Sequence, residues 1–184
     1  MELKVWSKTL LNVYGCLQKL TEEIDKIVLN FALSTGYVNY DNKTYRDTQK
    51  ILELTERKIT LINIKILIEK CLDKIDLKYC KLLTLKYVDK VSNETIASAL
   101  NIKYRTYFRK FMQAIDSFAS RLKFEGFTQD KIFNLVKKEE WILDIYNATK
   151  EKELKKGKDE SINKYAIFNL AVKDYKKERK LLIA

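Results

Sequence analysis

Apolar residues recur along the first part of this chain in alternating steps of three and four. The run goes from Leu3 through Trp6, Leu10, Val13, Leu17, Leu20, Ile24 and Ile27 to Phe31 without a break. That spacing keeps one helical face apolar, and sustained over this length it makes a coiled-coil-like seam. It predicts one long helix. Ser34, Gly36, Asn39, Asp41 and Asn42 then replace the repeat. These residues bond their own backbone or tolerate unusual dihedrals, so the helix is expected to end there. A second long helix is predicted from about Tyr45 to Ile75. Leu61, Ile64, Ile68, Cys71 and Ile75 carry its stripe, and Lys58 interrupts it earlier. Two long helices joined by a short polar loop form an antiparallel hairpin, assigned to residues 1–75.

Residues 76–125 read as shorter helices. In the first, Leu77, Cys80, Leu83 (or Leu82) and Tyr87 are expected on one face. Ser92 or Asn93 then caps a second, whose Ile96, Ala97 and Leu100 face inward. A turn follows at Asn101 and Ile102, since Asn is one of the few non-Gly residues that enters the left-handed region cheaply. From Lys103 a third helix buries Tyr107, Phe111, Ala114, Ile115, Phe118 and Leu122. Residues 126–184 form a C-terminal region with helices over about Thr128–Thr149 and Ser161–Leu182, Thr128 being the expected N-cap of the former. Between them residues 149–160 are a mixed-sign charged run with Gly157 as breaker, read as a solvated helix end and loop. The fold class is all-α.

Composition narrows the chemistry. The chain has no His, no Pro, and four Gly outside any GxxxxGK[ST] or GxGxxG arrangement. Histidine-based triads, the usual zinc spacings and phosphate-cradling loops are therefore absent. Cys16, Cys71 and Cys80 form no CxxC pair and sit on apolar stripes, as core thiols do. No enzymatic activity and no cofactor are expected. The N-terminus has neither the basic start nor the apolar run of a secretory signal. No stretch is apolar enough to span a membrane. A cytoplasmic location is the expectation.

Charge points to a partner. The net charge is +11, and it is unevenly placed: residues 1–76 hold 12 basic and 11 acidic side chains, residues 77–125 hold 10 and 4. Lys is abundant throughout, but Arg is scarce, and three of the six Arg (Arg105, Arg109 and Arg121) fall within 17 residues. Tyr104, Arg105, Phe108, Arg109, Lys110 and Gln113 are left at or beyond the core margin of the third helix. Ala97 supplies the small residue that two closely crossing helices need, and Thr106 can bond backbone or phosphate. A helix-turn-helix of this kind enters a major groove with the N-terminal part of its second helix, where basic groups meet phosphate or guanine edges.

Residues 68–122 resemble region 4 of sigma-70 type factors, the helix-turn-helix that reads the −35 promoter element. LDKIDLKYCKLLTLKY (72–87) is similar to that family's leading helices, and ETIASALNIKYRTYFRKFMQAIDSF (94–118) to its reading unit. In the second segment Ile96, Ala97, Leu100, Ile102, Thr106, Tyr107, Ala114, Ile115 and Phe118 stand in register. Asp76 and Leu77 replace the family's usual prolines, Asn101 its Gly, and Lys103 its Ser or Thr cap. Nothing in residues 1–67 resembles the sigma region that melts the −10 element. A long hairpin followed by such a unit is similar to small sigma-like regulators of phages and mobile elements in low-GC Gram-positive bacteria.

The resemblance implies a sequence-specific, double-stranded-DNA-binding transcription regulator, with RNA polymerase as a further partner. The alternative is a helical interaction module that binds polymerase without reading DNA. The expected DNA-binding residues are Lys103, Tyr104, Arg105, Thr106, Phe108, Arg109, Lys110 and Gln113. For Tyr104 and Phe108, contact with thymine methyls or sugars and packing on a neighbouring helix are equal alternatives. A symmetric homodimer is also expected, because the Leu3–Phe31 seam is longer than a partner helix interrupted at Lys58 can cover.

Overall fold

The computed structural model describes residues 2–35, 43–154 and 162–177. It is all-α. The helices are α1 (Glu2–Thr35), α2 (Lys43–Leu72), α3 (Leu77–Leu83), α4 (Asn93–Ala99), α5 (Tyr104–Phe124), α6 (Gln129–Val136), α7 (Glu140–Leu154) and α8 (Lys164–Lys176), with a π-helical turn at Thr84–Val88 after α3. The hairpin α1/α2 is present. α1 runs through Ser34 to Thr35, and α2 stops at Leu72, short of Ile75. The turn assigned to Gly36, Asn39, Asp41 and Asn42 lies outside the described residues, as do Gly157 and residues 178–182.

α1 is the axis of the molecule. It packs against α2, α5, α6, α7, α8 and the π turn, and every residue from Val5 to Val13 is buried. A helix buried all round must satisfy its polar groups itself. Ser7 Oγ donates to Leu3 O (2.8 Å), Thr9 Oγ1 to Val5 O (2.9 Å) and Asn12 Nδ2 to Lys8 O (3.0 Å), while Lys8 pairs with Glu153 of α7. The seam is thus covered within the chain: Leu10, Val13, Leu17, Leu20 and Ile24 are buried, and one hydrophobic cluster continues from them into α5, α6, α7 and α8. The apolar surplus from which a dimer through this seam was expected does not exist, because C-terminal helices encircle the helix that α2 alone would leave half covered.

The polar interruption on the inner face of α2 is Arg57, not Lys58. Leu54, Leu61, Ile64 and Ile68 are buried with Arg57 among them, whereas Lys58 reaches outward to Asp25. The Arg57 guanidinium is bidentate to Glu139, with Nε–Oε1 and Nη2–Oε2 both 3.0 Å, and also pairs with Asp174 and with Glu53 (3.5 Å). It lies 4.4 Å from the Tyr175 ring centre. Trp141 Nε1 (2.8 Å) and the Tyr175 hydroxyl (3.3 Å) donate to Glu139 Oε2. Burial disfavours the guanidinium charge, but Glu139 and Asp174 more than offset it and hold Arg57 above its ordinary pKa.

This network explains a second difference from the sequence reading. Thr128–Thr149 is not one helix: it divides into α6 and α7, and Glu139 sits at the break, donating its N–H to Val136 O (2.7 Å). A continuous helix would carry Glu139 past Arg57; the break turns its carboxylate inward. Thr128 does cap α6, accepting from Lys131 N. In α3, Leu77 is 82 % exposed rather than inward, since Asp76 caps the helix through Lys78 N (2.7 Å) and leaves Leu77 on its first, outer turn. Leu82, Leu83 and Tyr87 bury as expected.

Cys16 and Cys71 are buried free thiols and Cys80 is half-buried; burial pushes the first two up to about 11, far from thiolate reactivity. Lys90, in the turn before α4, has φ 57° and donates to Asn12 Oδ1 of α1 (3.2 Å). Burial, with Lys164 and Lys86 near it, pushes its ammonium down to about 8 despite Cys16, which acts the other way.

Two outcomes follow from these buried charges. Arg57→Met leaves Glu139 and Asp174 without their cation and is expected to cost about 3–5 kcal/mol in urea unfolding. Lys90 has a folded pKa below its unfolded one, so its cost to stability is fully present below pH 8. Above that the folded protein sheds a proton that the unfolded chain keeps, and the cost is relieved. Stability of the wild type relative to Lys90→Met should therefore rise between about pH 7 and about pH 9.5, measured by thermal unfolding across that range.

Candidate nucleic-acid interface

Local chemistry builds the helix-turn-helix. Ser92 is the N-cap of α4, its Oγ accepting from Thr95 N at 3.1 Å. Ile96 and Ala97 point into the core. The turn is made by Asn101 at φ 48°, as its side chain permits, with Asn101 N bonded to Ser98 O and Ile102 N to Ala97 O, both 3.0 Å. A residue larger than Ala at 97 would intrude where this turn folds back. Tyr107 OH on α5 donates to Asn93 Oδ1 at the start of α4 (2.9 Å), fixing the two helices to each other.

α5 is held from below by aromatic stacking. Tyr104, Tyr107 and Phe108 are in mutual ring contact, with Tyr104 to Phe108 at 4.8 Å edge-on. Tyr107 continues to Phe111 and Phe111 to Tyr87 of the π turn, at 5.9 and 6.0 Å. Gly15 of α1 faces that turn, where a Cβ would stand at ordinary contact distance, 3.4 Å from Tyr87 O. Phe108 is half-buried and packs against the core. Tyr104 keeps an exposed ring.

The expected contact residues converge on one end of α5. Lys103, Tyr104, Arg105, Arg109 and Gln113 are exposed; Thr106, Phe108 and Lys110 are half-buried. Arg105 and Arg109 stand one helical turn apart on the outward face, about 5–6 Å between Cβ atoms. Lys103 takes the N-cap position without a side-chain bond. That leaves the first N–H groups of a 21-residue helix open where an anion would meet both them and the helix dipole. Gln113 lies at the edge of this face, its Oε1 accepting from Tyr79 OH at 3.4 Å.

The electrostatics separate two kinds of basic residue. Among the described residues no carboxylate pairs with Lys103, Arg105, Arg109 or Lys110. Arg121, counted with them in the sequence, belongs elsewhere: it pairs with Glu125 and covers the Phe124 ring at 4.6 Å. Lys70 also binds Glu125 (2.5 Å), and Lys70 and then Arg121 hold that carboxyl below its ordinary range. Asp116, the one acid between Lys103 and Lys123, is neutralised by Lys4 of α1 at 2.5 Å. The exposed Met112, three residues beyond Arg109, shares the outward face. The sequence reading passed over Met112, although its i+7 relation to Arg105 marks it.

No family model, curated protein or solved structure matches the chain. Among the described residues no His/Cys/Asp/Glu group could hold a metal ion, and no helix is long and apolar enough to cross a membrane.

Because α4 and α5 meet over Ala97, Ala97→Leu is expected to lower stability by about 1–3 kcal/mol through overpacking. It should also broaden or shift the amide resonances of residues 101–107 in an NMR spectrum, while those of α8 stay in place.

Proposed function

We propose that this protein is a sequence-specific DNA-binding transcription regulator of the cytoplasm that sets the N-terminal half of α5 into the major groove of double-stranded DNA. The observation that carries this reading is the set of four cations, Lys103, Arg105, Arg109 and Lys110, without a carboxylate partner among the described residues, at the open end of a helix that follows a helix-turn-helix bend. Arg105 and Arg109 are the groups that reach base edges or phosphates, Lys103 and Lys110 support them from the flanks, and Thr106 positions the helix start. Tyr104 offers its exposed ring to a sugar or a thymine methyl, and Gln113 bounds the contact. Phe108 acts from beneath, by packing.

The similarity of residues 68–122 to sigma region 4 supports the same reading and adds RNA polymerase as a partner.

In vitro selection of duplex DNA with the purified protein should enrich one motif. On that motif, Arg105→Ala or Arg109→Ala should each cost about 1–3 kcal/mol and relax one base position if the contact is bidentate to guanine. The control variants Lys150→Ala and Lys152→Ala, at the end of α7, should bind as wild type. With four to six phosphates neutralised, log affinity should fall against log salt with a slope of about −4 to −5. Unenriched DNA together with direct binding to polymerase would replace this function by that of an interaction module. Loss of binding in the Lys variants alone would move the interface to α7.

A further inference from the structure

α2 is apolar on two faces. Leu54, Leu61, Ile64 and Ile68 point into the core, while Leu52, Ile59, Ile62 and Ile66 are 60, 53, 37 and 55 % exposed. At 3.6 residues per turn those four lie on the side opposite the core. With Tyr45, Thr48 and Thr55 they complete an alternation of fours and threes from Tyr45 to Ile66 in which no position is charged. Both threonine hydroxyls turn back onto the helix, Thr48 Oγ1 donating to Thr44 O and Thr55 Oγ1 to Ile51 O at 2.8 Å each. The seam is about 32 Å long.

α1 widens this outer face. Leu29 and Leu33, 57 and 63 % exposed, follow Asp25 by one and two turns. Asp25 binds Lys58 Nζ at 2.6 and 2.8 Å, and Gln18 Oε1 accepts from Lys65 Nζ at 2.8 Å. These bonds tie α1 to α2 along one flank of the seam. Taking about 200 Å² for a fully exposed large side chain, the patch amounts to roughly 700–800 Å². The largest apolar patch of an ordinary monomer is about 300–600 Å², and a stable interface buries about 800 Å² on each partner.

We propose that the outer face of the α1/α2 hairpin is the interface of a symmetric homodimer in which α2 of one copy packs against α2 of the other. An uncharged seam at heptad spacing is complemented by a helix bearing the same kind of seam, and a second copy of this chain carries one. A two-fold axis brings the same patch to both sides. Charge permits the same face. Residues 1–76 hold 12 basic and 11 acidic side chains, against 24 and 14 in the remainder, so two chains of net charge +11 meet through the hairpin without opposing strongly basic surfaces. The proposal is independent of DNA binding; it replaces the inner α1 seam with the outer α2 seam as the site of self-association.

Sedimentation equilibrium of the full chain without DNA tests it. The wild type is expected to be a dimer at micromolar concentration. Ile59→Glu combined with Leu52→Glu should weaken the dimer on the order of 100-fold with unchanged helicity, because both side chains are exposed in the monomer. Thr55→Leu, which fills the seam, should tighten it, and this variant keeps the test decisive if the double variant fails to fold. Leu77→Glu, an equally apolar exposed position on α3, should change nothing. A wild type that stays monomeric, a dimer indifferent to Ile59→Glu with Leu52→Glu, or a Thr55→Leu protein no tighter than wild type would overturn the proposal.

Discussion

A guanidinium without solvent contact must find its counter-charges inside the protein, and Arg57 imposes that requirement on three separate parts of this chain. α2 supplies Arg57 and Glu53, the break between α6 and α7 supplies Glu139, and α8 supplies Asp174 and Tyr175. Desolvation of charge is expensive enough that leaving any one partner out is worse than having no charge at all. The C-terminal helices are consequently docked at one register. Their docking encloses the N-terminal half of α1, and the enclosed α1 in turn presents Lys4 to Asp116 and Gly15 to the π turn. α5 thus rests on an axis whose position is set at the opposite side of the molecule.

The distribution of acids follows the same economy. Carboxylates pair with cations of the scaffold: Asp25 with Lys58, Glu56 with Lys138, Glu125 with Lys70 and Arg121, Glu153 with Lys8. None of them reaches the first turns of α5. Among the described residues, Lys103, Arg105, Arg109 and Lys110 are left clustered at that end without a carboxylate partner. An open N-terminus and two Arg side chains on one face add direction to that cluster, and this combination, more than the net charge, is what suits the surface to a polyanion.

Aromatic packing connects the two properties. The succession Tyr104, Phe108, Tyr107, Phe111, Tyr87 begins in solvent and ends in the core. These contacts connect the exposed end of α5 to the π turn.

Local interactions were legible in the sequence. The periodicity of α1, the Ser92 and Thr128 caps, the left-handed Asn101, the small Ala97 and the inward set Tyr107, Phe111, Ala114, Ile115, Phe118 and Leu122 each depend on neighbours within a few turns, and the structure holds them as the sequence implied. The exposed placement of Lys103, Arg105, Arg109 and Gln113 follows from the same period. Long-range pairing was not legible. Whether Lys58 or Arg57 occupied the inner face of α2 turned on one residue of phase, 100° of helix rotation, and the partners that make Arg57 the answer lie 82 and 117 residues away. The break at Glu139, the encirclement of α1 and the diversion of Arg121 to Glu125 have the same origin. A sequence pattern records which side of a helix is apolar, whereas only the assembled fold decides which helices cover it and which charges they bring, because burial energy is non-directional and ion pairing in a dry interior admits few geometries.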